Sequence, residues 1–286
     1  MAEKSNSSKS WRLSSGWAAS ARQTIRTRRR SRPFRLLADI STKYLRAYYN
    51  EGFYEFAENG ESFALRTFAE WAGNNVGVIW DVGANDGGWA TEAVGFFPEA
   101  KIHSFEIVPT IADTFEKQFS SNPNVALHRF GLSDHECTVD VSYNVKYHST
   151  SSINYRATDE FGTDIKTVEC SVKTIDAVIA RGLAPPVLLK IDTEGHDLSV
   201  LRGGKQLLTS GNAPAMIQFE YGETWLPANE TLENCSRLLT EAGYRLGRLY
   251  PTHVEFKDYG YEDDHYRMGN MIAVRDDRLL NMFAPR

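Results

Sequence analysis

Short apolar segments alternate with amphipathic segments along most of the chain, and this alternation limits the possible folds more than any other feature. An apolar run too short for a buried helix is typical of a strand covered on both faces. Such strands, joined by helices, form right-handed crossovers and a parallel sheet. The strand candidates are residues 76–82, 101–106, 125–130, 187–192 and 215–221, and the helix candidates are residues 88–96, 110–120, 174–181, 196–209 and 230–242.

Two later apolar segments, residues 245–250 and 268–274, are expected to complete the sheet as an antiparallel pair at one edge. We therefore predict an α/β fold for residues 76–286, with a doubly wound, mostly parallel sheet of seven strands. A polar insertion, residues 137–172, separates the third and fourth strands. Loops of this length inside a domain are usually functional or mobile.

The first part of the chain has a different composition. Residues 1–35 contain ten Lys and Arg residues and one acidic residue, whereas the rest contains 22 basic and 36 acidic residues. This bias predicts a disordered basic arm over residues 1–32. The arm could be a solvated tail, or it could touch RNA, an anionic lipid or an acidic protein. The acidic remainder argues against a protein that binds nucleic acid as a whole.

Residues 33–75 are expected to form an N-terminal extension of the sheet domain. Apolar side chains recur at helical spacing over residues 34–50, which predicts an amphipathic helix. Asn59-Gly60 lies within residues 53–65 and favours the tight turn of a β-hairpin. We therefore predict a helix followed by a hairpin.

Cysteine usage and hydropathy indicate a cytoplasmic protein. Cys137, Cys170 and Cys235 are odd in number and widely spaced, which argues against a disulfide framework and a zinc site. No segment approaches the roughly 18 apolar residues of a membrane span, and no apolar region typical of a signal peptide lies near the start of the sequence. The Arg- and Ser-rich start leaves targeting to an organelle open as an alternative.

A glycine-rich turn links the first predicted strand to the next helix. Asp81 lies near the end of the strand, and Gly83, Gly87 and Gly88 follow it. In a doubly wound sheet this turn lies where ligands bind. A dinucleotide site has the pattern G-x-G-x-x-G, but Asn85 replaces the glycine that admits the pyrophosphate. A nucleoside without pyrophosphate is therefore the expected ligand.

Glu106 ends the second predicted strand, 19 residues after Gly87. A carboxylate at this place can accept hydrogen bonds from both ribose hydroxyls, and each bond to a charged group contributes about 1.5–3 kcal/mol. The glycine turn, Glu106 and the parallel sheet together predict a pocket for S-adenosylmethionine (SAM). Asn85 disfavours a dehydrogenase.

The chain resembles the FkbM family of SAM-dependent methyltransferases, which have the class I, Rossmann-like fold. The resemblance implies transfer of a methyl group from SAM to a hydroxyl of a sugar, glycolipid or polyketide-like small molecule. It covers roughly residues 50–275. The matching segments are VIWDVGANDGGWA (78–90), HSFEIVP (103–109), GLSD (131–134), TID (174–176), LLKIDTEGHDLSVLRGG (188–204) and QFEYGE (218–223).

The resemblance also implies which residues hold SAM. The residues that would line its methionine side are Asp81, Gly83, Asn85 and Gly87. Glu106 would hold the ribose. The residues that would lie beside the adenine are Ile107, Leu132 and Ser133.

Asp192, Glu194 and His196 follow the fourth predicted strand and are the candidates for accepting the hydroxyl proton. His196 has the best unperturbed pKa for this role, but the sequence does not decide among the three. Asp192 could instead hold the amino group of SAM, and Glu194 or His196 could belong to a helix start. Weaker candidates for substrate contact are Glu220, Tyr221 and His148, and no metal ligand is assigned.

Two other functions remain as alternatives. The basic arm would suit an N-methyltransferase or nucleic-acid methyltransferase, although the tetrapeptide (D/N)PP(Y/F) of many amino-methylating enzymes is absent. A SAM-binding module without catalytic activity is the third hypothesis. The expected substrate is a small molecule or a glycan.

Overall fold

A computed structural model of the chain describes residues 15–73, 76–144 and 165–285. The chain divides into two compact units, with the boundary between Tyr49 and Asn50. The first unit contains helices α1 (Ser15–Arg28) and α2 (Arg32–Tyr48). Within the described ranges, no helix combines the length and the apolar character needed to cross a membrane.

The second unit begins with a helix and continues with alternating strands and helices. In chain order its first half contains α3 (Glu61–Ala72), β1 (Val78–Val82), α4 (Gly88–Phe96), β2 (Lys101–Phe105), α5 (Pro109–Phe119), β3 (Val125–His128), β4 (Gly131–Leu132), β5 (Cys137–Asn144) and β6 (Ile165–Lys173). Its second half contains α6 (Ile175–Ala180), β7 (Leu188–Ile191), α7 (Asp197–Arg202), α8 (Lys205–Thr209), β8 (Met216–Tyr221), α9 (Leu232–Glu241), β9 (Arg245–Tyr250), β10 (His253–Phe256), β11 (Gly269–Val274) and α10 (Asp277–Phe283).

The main sheet has the strand order β10-β9-β11-β8-β7-β1-β2-β3. Strands β3, β2, β1, β7 and β8 are parallel to their neighbours, so their carboxyl ends lie at one edge. Strand β11 pairs antiparallel with both β8 and β9. The strand order reverses between β1 and β7, and in open α/β sheets this switch point is where ligands bind.

Side chains alternate between the two faces of the sheet, and each face has its own core. Ile79 packs in one core, with residues of α3, α4 and α10. Trp80, the next residue of β1, packs in the other core, with residues of α6, α7, α8 and α9. This alternation follows from the two-residue period of a strand. The prediction of a doubly wound α/β fold is therefore confirmed.

The sheet has eight strands rather than the predicted seven. The additional strand, β10, pairs antiparallel with β9 and lies at the edge of the sheet. Its sequence, HVEF, is short and follows the turn at Thr252, so no long apolar run marks it. The predicted helix over residues 196–209 is also divided, into α7 and α8. At the break, a Cβ on Gly203 would lie 2.0 Å from the carbonyl oxygen of Ser133.

The predicted hairpin over residues 53–65 is wrong, because the structure describes all of these residues and places the start of α3 at Glu61. Gly60 has the left-handed conformation that Asn-Gly favours, with φ of 101°. However, this conformation precedes a helix rather than joining two strands. Asn59 Oδ1 accepts a hydrogen bond from the Glu61 backbone amide (2.9 Å), which helps to start the helix.

The prediction of disorder over residues 1–32 fails in the part that the structure describes, because α1 occupies Ser15–Arg28. Ala, Arg and Gln favour a helix, and net charge alone overlooks this propensity. Residues 1–14 lie outside the described residues. Helix α2 agrees with the helix predicted for residues 34–50.

The insertion is structured at both of its ends. Strands β5 and β6 pair antiparallel from Cys137 with Val172 to Asn144 with Ile165, and β4 joins β6 to complete a three-stranded sheet. The expectation of a loop is therefore wrong for these two segments. Residues 145–164 lie outside the described part of the chain.

Asp276 joins the last helix to the first helix of the second unit. Its Oδ1 accepts hydrogen bonds from the Leu279 backbone amide (2.8 Å) at the start of α10 and from Trp71 Nε1 (2.9 Å) in α3. We predict that Asp276→Ala lowers the free energy of unfolding by about 1–2 kcal/mol, since a helix cap is lost. Urea denaturation measures this change. Asp277→Ala, at the exposed next position, is the control and is expected to cost less than half as much; equal losses would contradict the prediction.

Candidate active site

A cavity of about 430 Å³ opens at the switch point of the sheet. It lies at the carboxyl ends of β1, β2 and β7 and is closed on one side by residues that precede or begin α3. Its lining residues include Tyr54, Phe56, Glu61, Gly83, Asn85, Trp89, Phe105, Glu106, Ile107, Ile111, Leu132, Val141, Lys190, Asp192, Thr193, Glu194 and His196. The volume is within the range of about 300–1,000 Å³ for small-molecule sites.

The turn after β1 packs directly on the loop after β7. Gly83 has φ of 78°, and a Cβ there would lie 1.8 Å from the carbonyl oxygen of Asp192. Only glycine can occupy this position, because the atom that a Cβ would meet belongs to the backbone and cannot rotate away as a side chain could. Asn85 also has a left-handed backbone, with φ of 50°. The turn therefore presents its backbone to the cavity.

Glu106 is held in place by the backbone of two neighbouring segments. Its Oε2 accepts a hydrogen bond from the Asn85 amide and its Oε1 accepts one from the Val108 amide, both at 2.8 Å. Burial raises the pKa of this carboxyl, and the backbone hydrogen bonds oppose the shift. A carboxylate can accept about four hydrogen bonds. Both oxygens therefore retain the capacity to accept hydroxyl groups of a ligand.

An apolar slot lies beside Glu106. It is formed by Phe105, Ile107, Ile111, Leu132 and Val141, and it has the character of a surface for a flat, weakly polar ring.

Two polar atoms of the lining residues have no hydrogen-bond partner within the described part of the protein: Asn85 Oδ1 and Trp89 Nε1. A buried polar atom without a partner is costly. Polar groups of a bound molecule could satisfy both.

A buried lysine, which the sequence analysis did not single out, lies behind the turn. Lys190 Nζ is 3.1 Å from Asp81 Oδ1 and 3.6 Å from Asp192 Oδ2, and it donates a hydrogen bond to the Gly83 carbonyl oxygen (3.4 Å). Burial lowers the pKa of Lys190, but Asp81, Asp192 and Glu61 raise it more, so the amine stays protonated. The available signal was a lysine inside the otherwise apolar strand LLKI.

The pKa of Asp81 responds to opposing effects. Burial raises the pKa of its carboxyl, and the ion pair with Lys190 lowers it. Because the Lys190 ammonium lies 3.1 Å away, we assign Asp81 as its ionised partner. A buried pair of this kind positions groups more than it adds stability. Asp81 is fully buried and supports the cavity from behind rather than lining it.

The three residues predicted after the fourth strand lie together at the cavity. Asp192 is the most accessible to solvent of the acids near Lys190, with a side chain 43% exposed. Glu194 has a left-handed backbone with φ of 53°, and this conformation is uncommon for a residue other than glycine. His196 Nε2 lies 2.9 Å from Ser133 Oγ, and burial lowers the pKa of His196 to about 4. His196 is therefore neutral at pH 7.

A smaller cavity of about 100 Å³ adjoins the large one. Glu61, Asp192 and Tyr54 line both, and Glu220, Asn59 and Asn270 line only the smaller one. Burial and the neighbouring carboxylates of Asp192 and Glu194 raise the pKa of Glu220 well above its usual value. Among the residues that the structure describes, no lysine or arginine lines this smaller cavity, and no group of three His, Cys, Asp or Glu side chains could hold a metal ion.

Several predicted site residues do not line the large cavity. Gly87 packs against the rings of Phe115 and Phe119. Ser133 contacts His196 instead.

The prediction that Tyr221 contacts a substrate is wrong. Tyr221 is fully buried, and its hydroxyl donates to Asp264 Oδ1 (3.3 Å) and accepts from the Tyr266 amide (3.1 Å). An aromatic residue at the end of a strand can pack in the core as well as it can stack on a sugar. His148 lies outside the described residues.

The reversed strand order, the glycine turn and the acid at the end of β2 define a Rossmann-like, nucleoside-binding class of fold. The sequence matches the profile of the family described as "Methyltransferase FkbM domain" over residues 81–246. The chain therefore belongs to the FkbM methyltransferase domain family, as its motifs predict.

Among characterised proteins, hexuronic acid methyltransferase AglP of Haloferax volcanii is 31% identical over 157 residues. The match covers 54% of this chain and 60% of the relative, so it spans less than two thirds of that protein.

Solved structures of methyltransferases are also similar. A putative O-methyltransferase from Klebsiella pneumoniae has a TM-score of 0.42 and 11% identity, with 91% of this chain and 98% of that chain covered. Precorrin-6y C5,15-methyltransferase from Geobacter metallireducens has a TM-score of 0.39 and 15% identity, with 74% and 87% covered.

Asp197, another residue that the sequence analysis missed, is fully buried beneath the site. Its Oδ2 accepts hydrogen bonds from Thr193 Oγ1 (3.2 Å) and the Gly195 amide (3.3 Å), whereas no partner for Oδ1 occurs in the described ranges. Burial, reinforced by the Asp192 carboxylate, raises the pKa of Asp197 to about 7. This pKa makes the stability of the protein depend on pH.

Between about pH 4 and pH 7 the folded state holds a proton on Asp197 that the unfolded state has lost. The contribution of this proton to the free energy of unfolding is complete below pH 4 and is lost as the pH rises through 7. Asp197→Asn keeps the acceptor oxygen but cannot take up the proton. We predict that, between pH 5 and pH 8, the free energy of unfolding falls by up to about 3 kcal/mol more in the wild type than in this variant. Urea titrations at both pH values measure this difference, with the exposed Asp258→Asn as control. Parallel pH profiles for wild type and Asp197→Asn would contradict it.

Proposed function

We propose that the protein is a SAM-dependent O-methyltransferase that methylates a hydroxyl of a sugar or glycan. The observation that carries this proposal is the position of Asp192, which lines both the large cavity and the small one. A carboxylate at the junction of two cavities can contact a hydroxyl in one of them while that hydroxyl faces a group bound in the other. Membership of the FkbM family supports the same reaction.

The large cavity fits SAM in its size and its donor set. Glu106 would accept hydrogen bonds from the ribose hydroxyls. The apolar slot, with Ile107 and Leu132, would hold the adenine. The backbone of the glycine turn and Asn85 would face the methionine portion, and the positive helix start of α4 suits its carboxylate. When bound, SAM supplies a methyl group on a positively charged sulfonium that is a good leaving group.

We assign the proton of the acceptor hydroxyl to a carboxylate oxygen of Asp192. The Lys190 ammonium lies 3.6 Å from Asp192 Oδ2 and holds that oxygen in place. The other carboxylate oxygen, Oδ1, would then accept the proton of the hydroxyl. Positioned bases contribute about 10²–10⁴-fold to a rate, and alignment of the hydroxyl contributes further.

His196 is a weaker choice than its ordinary pKa suggests. A histidine with a pKa of about 4 is a weak base, and its Nε2 lies 2.9 Å from Ser133 Oγ. We assign to it the positioning of the loop after β4. Glu194, with its left-handed backbone, would shape the mouth of the cavity.

The small cavity favours an uncharged acceptor. Its side chains include the carboxyl groups of Glu61, Asp192 and Glu220 and the amide of Asn270, all of which can accept hydroxyl groups. A carboxylated sugar would meet the Asp192 carboxylate there, and no lysine or arginine among the described lining residues would pair with its charge; like-charge contacts discriminate against a ligand. The Haloferax volcanii relative is named for a hexuronic acid. We propose that this protein differs from it in preferring neutral sugars.

Binding of SAM provides the first test. We predict that the protein binds SAM and S-adenosylhomocysteine, but not NAD, and that Glu106→Gln weakens SAM binding about 10–150-fold, because hydrogen bonds to a charged acceptor are lost. Isothermal titration calorimetry measures both. The control is Glu116→Gln, an identical change on the exposed face of α5. Tighter binding of NAD than of SAM would refute the cofactor assignment.

Turnover provides the second test. We predict that Asp192→Asn lowers kcat about 10²–10⁴-fold with little change in SAM affinity, whereas His196→Gln lowers kcat less than tenfold. A panel of neutral sugars and uronic acids, assayed with radiolabelled SAM, measures turnover and acceptor preference together. Asp258→Asn is the matched control. Full activity of Asp192→Asn would refute the assigned base, and preference for uronic acids would refute the assigned acceptor class.

A further inference from the structure

Helix α2 exposes a continuous apolar face. Six large apolar or aromatic side chains of this helix are between 41% and 65% exposed, and no residue of α2 is buried. They recur at the three- and four-residue spacing that places side chains on one side of a helix. These six residues, here called the apolar face, are Leu36, Leu37, Ile40, Tyr44, Leu45 and Tyr48.

The basic residues of α2 lie opposite the apolar face and along one of its borders. With 3.6 residues per turn, Arg35 and Arg46 lie opposite Tyr44. Arg32 and Lys43 fall between them and Leu36, at the border of the apolar face. We call these four residues the basic face. Over residues 22–46 the chain carries nine Lys and Arg residues and one acid, Asp39. The first unit therefore combines exposed apolar surface with strong positive charge.

The two faces together favour a lipid surface over other partners. RNA would pair with the basic residues, but it would leave the leucine and isoleucine side chains in water. An apolar protein groove would cover the apolar face, but it gives no reason for the excess of arginine. An anionic bilayer takes both, because the acyl boundary covers the apolar side and the headgroup phosphates attract the basic side.

The aromatic residues fit the same surface. Tyr44 and Tyr48 stack with ring centroids 6.0 Å apart at the end of the helix. Tyrosine is enriched at membrane interfaces, since its ring is apolar and its hydroxyl stays in the polar layer.

We propose that α2 lies in the interface of an anionic lipid bilayer, with its apolar face in the acyl boundary and its basic face among the headgroups. Binding of this kind holds the protein at the membrane surface without a membrane-spanning segment. The inference does not depend on the proposed catalytic function.

Sedimentation of the full chain with vesicles tests the proposal. We expect binding to vesicles of phosphatidylcholine mixed with phosphatidylglycerol to be at least tenfold stronger than binding to phosphatidylcholine alone, and to weaken as salt is added. A triple variant with Leu36→Gln, Leu37→Gln and Ile40→Gln keeps every charge, and glutamine preserves the tendency of this segment to form a helix. It should lose at least tenfold of the binding to anionic vesicles. The control is Leu226→Gln, which removes an exposed apolar side chain of the second unit.

Four outcomes would overturn the proposal. Equal vesicle binding by the triple variant would show attraction by charge alone. Binding to an RNA oligonucleotide in place of vesicles, unchanged in the triple variant, would assign the basic residues to nucleic acid. Without vesicle binding, a dimer that the triple variant abolishes in analytical ultracentrifugation would assign the apolar face to a second copy of the chain. A lower melting temperature of the triple variant, again without vesicle binding, would show that this face packs within the protein.

Discussion

The buried pair of Lys190 and Asp81 connects the two strands between which the large cavity opens. Lys190 lies in β7 and Asp81 in β1, and these neighbours are parallel. The same ammonium group reaches the Gly83 carbonyl oxygen and the carboxylate of Asp192. One side chain therefore sets the position of the glycine turn relative to the loop after β7. Because a buried charge must keep its partner, this arrangement leaves little freedom in the floor of the site.

The parallel part of the fold could be predicted because its signals are local. Buried parallel strands appear as short apolar runs, and the turn after β1 requires glycine at Gly83 for a contact that no other residue permits. Glu106 could be placed for the same reason, since it ends a recognisable strand. The sequence therefore located the turn and the acid that line the large cavity, whereas their contact with a cofactor stays a prediction.

The rest depended on contacts between distant segments. Asn59-Gly60 supplied the expected backbone conformation, but a helix follows it, and Ala64, Leu65 and Phe68 of this helix pack in the core on one face of the sheet. Tyr221 was expected at a substrate but is in the core, and neither its residue type nor its position in the strand distinguishes the two. Lys190 and Asp197 were missed because a charged residue in a buried segment reveals its role only through its partners. The contribution of Glu61, from the start of α3, to both cavities likewise needs the tertiary fold.

The partial exposure of Asp192 has a consequence for the catalytic cycle of the proposed methyltransferase. A carboxylate that has taken up the hydroxyl proton must release it before it can act again. Since the side chain of Asp192 is 43% exposed, it can pass the proton directly to bulk water once the products have left. The enzyme would then need no internal relay of histidines or ordered waters to regenerate its base. Deprotonation between turnovers would proceed wherever the mouth of the cavity is open to solvent.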